Sequence, residues 1–205
     1  MRTPWKNRAD RARWQHARTL TDLGQLTAAW WEGTLRSLPG HRANHRPHPT
    51  LTPQTAVLAT ANRAGFLIPA AQAGRTDGTV QQRTAVQGFV SSPHLIQRVM
   101  DAAEQGDLYI ALASLHDAND GPGNGITVTT GDKQRDTVFG QVLGLEDLNA
   151  MWPQLPHAVD AVALALQVTL VDPQFGSSNL VWDTLAAAIG PAALPPAPMP
   201  DTPWS

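Results

Sequence analysis

The chain has 205 residues, of which 42% are apolar and 16% charged, and a formal net charge of -2. That length supports one domain with a real core, and the apolar content excludes a disordered or collagen-like chain. No apolar run reaches the ~18 residues that cross a bilayer, and the absence of cysteine removes disulfides, thiolate metal sites and cysteine nucleophiles. A basic N-terminus with no apolar stretch behind it points away from a secretory signal, so the expected location is cytoplasmic. Charge is uneven: residues 1–50 hold nine Lys or Arg against three acids, whereas residues 136–205 hold seven acids and no Lys or Arg.

Residues 1–18 alternate arginines with Trp5 and Trp14 and read as a basic arm. From Thr19, Leu20, Leu23, Leu26, Trp30, Trp31, Leu35 and Leu38 recur at three- and four-residue steps, predicting one helix that ends at Pro39-Gly40. Residues 40–50, with His41, His45 and His48, read as loop. A second helix follows Thr52 and stops at Gly65. Phe66 to Pro69 is a short strand, Gly74 to Thr79 a loop, and Thr84 to Val90 a strand. Ser92-Pro93 opens a helix with Leu95, Ile96, Val99, Ala102 and Ala103 inward. Leu108 to Leu115 is almost wholly apolar, the pattern of a central strand buried on both faces.

Strand, helix and strand at this spacing predict a βαβ crossover. Ile126 to Thr130 and Thr137 to Leu143 read as a hairpin around Gly131-Asp132. Leu145 to Trp152 is a short helix. Pro156 onward is helix turning to strand near Leu166, and Ser177 or Ser178 caps a last helix stopped by Gly190-Pro191. The fold class is α+β or mixed α/β. One compact domain covers 19–190, two helices precede a mixed sheet, and 191–205 is a proline-rich tail.

Four stretches carry a family resemblance. They are Ala17 to Thr27 (ARTLTDLGQLT), Ala61 to Phe66 (ANRAGF), Gln82 to Phe89 (QRTAVQGF), and Val171 to Gly176 (VDPQFG) with Leu180-Val181-Trp182. In their order the chain resembles an uncharacterised actinobacterial family, a domain of unknown function, over about residues 17–189. The family pattern has proline where this chain has Ala73. The resemblance implies a single domain and brings no established activity. Thirteen arginines against two lysines, and thirty alanines, fit a GC-rich source such as an actinobacterium or its phage or plasmid.

Candidate chemistry is sparse. His116 and Asp117 follow the apolar strand, and Asp172 follows the last one. If those strands are parallel neighbours, the three meet Arg83 in one crevice, where a histidine beside carboxylates suits general base work. Arg83 also suits fork binding of an oxyanion. Gln72, Gly74 and Arg75 lie in a loop whose glycines let backbone approach a phosphate, without the lysine of a true phosphate loop. His41, His45 and His48 have metal-like spacing but share their segment with Pro47 and Pro49, so no metal is expected, and no cofactor motif is present. Three readings stay open. One is a non-enzymatic accessory or binding protein with a protein partner. The second is an enzyme or small-ligand binder using the crevice. The third is nucleic-acid binding through the Arg/Trp arm. No membrane partner is expected.

Overall fold

The computed structural model describes residues 8–42, 45–131 and 136–190. Trp5, Trp204 and the proline-rich segment lie outside them. Helix α1 (Arg8–His16) already belongs to the core. Trp14 is 1% exposed, and its Nε1 donates to the Ser37 carbonyl at 3.0 Å. The expected arm is therefore folded from Arg8, a feature that one buried tryptophan on a polar helix hardly signals.

Helix α2 (Leu20–Trp31) starts at a capping box: Thr19 Oγ1 accepts from the Asp22 amide, and Asp22 accepts from the Thr19 amide. It ends seven residues before the expected Leu38. Gly33, at φ 78°, takes the left-handed conformation, and the Thr34 and Leu35 amides turn back onto the Ala29 carbonyl. Leu35 and Leu38 remain buried, so the stripe was core but not all helix. A 3-10 turn, Pro49–Gln54, leads into α3 (Thr55–Arg63). α2 and α3 pack closely enough that a Cβ on Gly24 would strike the Asn62 carbonyl.

Seven antiparallel strands follow: β1 (Phe66–Gln72), β2 (Arg75–Asp77), β3 (Val80–Val90), β4 (Tyr109–Ala113), β5 (Ile126–Thr130), β6 (Thr137–Phe139) and β7 (Leu166–Phe175). Their order is β4-β7-β3-β5-β6, and β1 and β2 also pair with β3. The expected loop at 74–79 thus contains a strand. The expected hairpin is present as β5 and β6, with its tip outside the described residues. Helix α4 (Pro93–Gln105) joins β3 to β4. These two strands are both antiparallel to β7, hence parallel to one another with β7 between them. The crossover exists, but its strands are not neighbours.

β4 ends the sheet order and is not the expected central strand. Tyr109 is 47% and Leu112 39% exposed. An apolar run reports hydrophobicity on two faces and says nothing about which strand edge is paired.

Alternation along β3 and β7 sorts side chains to two faces. Val86 and Leu170 join the large core under α4 and α7 (Leu180–Ile189). Ala85 and Val171 join Val128, Ile126 and Phe139 of the hairpin on the other face. Two glutamines hold the chain there. Gln87 Oε1 accepts from the Gly140 amide at 2.7 Å, while Gln167 bonds the Leu143 amide at 3.0 Å and the Gln141 carbonyl at 2.7 Å. Such inward amides are tolerated because they are satisfied. Leu148 of the short helix α5 (Leu145–Met151) and Ala158, Val159 and Val162 of α6 (Pro156–Ala163) join the large core. Among the described residues no helix is long and apolar enough to cross a membrane.

Candidate functional site

A trough runs beside β1. Its three cavities, of about 350, 650 and 300 Å³, share walls: His41, Pro69 and Met151 join the first to the second, and His48, Leu51, Ala71 and Phe139 join the second to the third. The outer wall is the segment from Gly40 to Pro49. Trp30 of α2 fastens it, donating from Nε1 to the His45 carbonyl at 2.8 Å. The His45 ring stacks on Trp30 (centroids 5.9 Å apart, 15°), and His41 stacks on His45 (4.2 Å, 7°). His48 caps the 3-10 turn by accepting from the Thr50 amide. Gly40 starts the segment at φ 74°, where a Cβ would crowd the Ala150 and Met151 carbonyls, so only glycine fits comfortably.

The lining is cationic. Arg42 and Arg46 border the central cavity and Arg75 the third, and no Asp or Glu lines either; Asp147 appears only in the first. The guanidinium groups of Arg42 and Arg46 meet no carboxylate or hydrogen-bond acceptor among the described residues. Arg75 donates to neutral Gln82 at 2.6 Å. Burial, and then the neighbouring charge, hold the histidines below their ordinary pKa: His45 acts on His41, and Arg42 acts on His45. Both rings therefore favour the neutral form in the free protein. Among the described residues no group of three or more His, Asp or Glu is placed to hold a metal.

A family model described as a domain of unknown function matches residues 9–191. The chain belongs to that family, DUF6919. A comparison with curated proteins gives no match. The matched span takes in α1, in keeping with Trp14 in the DUF6919 core.

The crevice expected from the sequence is not assembled in this DUF6919 chain. β4 is antiparallel to β7, so its exit, where Ala113 pairs with Gln167, lies at the opposite end of the ladder from the Tyr109–Val171 pair next to Asp172. Four residues of strand span about 13 Å. His116 is exposed, in the 3-10 turn Leu115–Asp120. Asp117 caps that turn, accepting from the Ser114 amide at 2.6 Å and its hydroxyl at 2.8 Å, and those two bonds lower its pKa. Asp172 is 2% exposed and accepts from the Gln174 amide at 2.8 Å, leaving Oδ2 without a partner.

The Gln72–Arg75 segment divides. Gln72 bridges three strands, donating to the Arg83 and Val128 carbonyls and accepting from Thr129 Oγ1. Gly74 is required sterically, since a Cβ would collide with the Gly176 carbonyl. Arg75 alone of the three offers a charge to the trough. Sequence reasoning missed that Arg75 borders a cavity adjoining the one bordered by Arg42 and Arg46. Each histidine and arginine was visible, but their adjoining cavities depend on β1 lying beside residues 40–42 and 45–49.

Proposed function

We propose that this protein is a non-catalytic binding protein whose trough takes a small anionic ligand carrying a flat ring, of the mononucleotide class. The observation that carries the reading is two adjoining cavities, one bordered by Arg42 and Arg46 and the other by Arg75, with no carboxylate in the lining of either. Unpaired guanidinium forks suit phosphate, and the outer face of His41, which ends the His41–His45–Trp30 stack, suits a planar ring. An actinobacterial or phage source and a cytoplasmic setting belong to the same proposal, supported by the arginine and alanine bias and the absence of cysteine.

Calorimetric titration with AMP, adenosine and a short oligothymidylate tests it. AMP is expected to bind at least about tenfold more tightly than adenosine, since charge-assisted bonds to the phosphate exceed 1.4 kcal/mol, the tenfold step. Arg42→Gln with Arg46→Gln removes that difference. Equal affinities for AMP and adenosine, or no binding of either, overturn the reading. Oligothymidylate binding more tightly than AMP, with a steep salt dependence, moves it to single-stranded nucleic acid.

A further inference from the structure

Arg83 sits on β3 opposite Phe175 of β7. Its guanidinium carbon lies 4.3 Å from the Phe175 ring centroid and 5.6 Å from that of Tyr109 on β4. Both rings lie within cation–π distance of the group. Cation–π attraction holds charge over a ring face but offers no acceptor in the guanidinium plane. None comes from elsewhere among the described residues. Nε is buried without a partner, Asp172 forms no ion pair with the group, and no hydrogen bond leaves it. The two Nη atoms are also unpartnered but are not among the buried orphans, so they reach solvent. Tyr109 is itself exposed.

We infer that Arg83, beside Phe175 and Tyr109, is a binding site for an oxyanion, a carboxylate or phosphate group presented in the plane of its fork. The two Nη donors are unpartnered and reach solvent, and the Phe175 ring against the guanidinium limits its orientation, so the group suits two parallel N–H···O bonds. Arg83, Tyr109 and Phe175 line none of the three trough cavities, so the site is separate from the trough and does not rest on it.

Nitrogen-15 NMR of Arg83 and carbon-13 NMR of the aromatic rings in the full chain test this at constant ionic strength. Sodium phosphate and sodium acetate are the two probes, with sodium chloride as the reference. The Arg83 Nε–H signal is identified by its loss in Arg83→Lys. The ring signals of Tyr109 are unambiguous because the chain has one tyrosine. The Arg83 and Tyr109 signals are expected to shift together and saturably, with a midpoint of about 1–10 mM, for phosphate, acetate or both; which probe acts names the group recognised. The shift persists in Arg42→Gln/Arg46→Gln and is lost for Tyr109 in Arg83→Lys. Signals that do not move, or that drift linearly as with chloride, overturn the inference, as does a Tyr109 shift that survives in Arg83→Lys.

Discussion

Trp30 holds His45 twice, by its Nε1 donating to the His45 carbonyl at 2.8 Å and by its ring stacking on the imidazole at 5.9 Å. One side chain of α2 thereby sets the wall of the trough. Trp30→Phe keeps a ring and removes the donor. The expected loss is about 1 kcal/mol in urea unfolding, with a larger fractional loss of AMP affinity than of stability. Unchanged affinity would mean that the Gly40–Pro49 wall is held by other contacts.

Acid is expected to weaken the fold through His41 and His45. Their folded pKa values lie below the ordinary 6.5. The unfolded chain therefore binds protons first as pH falls. Stability is full above about pH 6.5 and declines as pH drops through 6.5 towards the folded values. Anion binding runs the opposite way, because a protonated ring adds charge to the trough. Melting curves between about pH 7.5 and pH 5.5 check the first trend, and His41→Asn with His45→Asn should flatten it. AMP titrations over the same range check the second.

Asp117→Ala should lower the melting temperature slightly and leave AMP affinity unchanged, since Asp117 caps its own turn. A marked loss of ligand binding with an intact melting temperature would return Asp117 to a functional role.

Trp14→Ala is expected to cost about 3–5 kcal/mol, the range for emptying a large buried aromatic site. The measurement is denaturant unfolding with an unchanged m-value. A loss below about 1 kcal/mol would show that α1 lies on the surface of the domain instead of completing its core.

Local signals were legible where a few neighbouring residues decide the outcome. The apolar spacing from Thr19, and Ser92 before Pro93, announced their helices correctly. β3, β7 and the hairpin followed from apolar alternation and turn residues. The sequence did not reveal that β7 would separate β3 from β4, because strand order is settled by packing between distant segments. For the same reason Arg83 drew attention as a fork, but not with Tyr109 and Phe175 around it. Asp117 was taken for chemistry because a capping carboxylate and a catalytic one look alike without coordinates. The length of α2 was overread because Leu35 and Leu38 keep the helical spacing while Gly33 has already turned the chain.

The position of β7 also has a kinetic consequence. Leu166–Phe175 is the strand that joins β4 to the rest of the sheet, yet it comes late in the chain. While the ribosome is still making α6, β3 has no partner on the side β7 will take, and β4 has no neighbour at all. These open edges are sticky, and the pairings that cover them are of high contact order. The sheet can close only once Leu166–Phe175 is available, so a chain stopped before Leu166 is expected to aggregate.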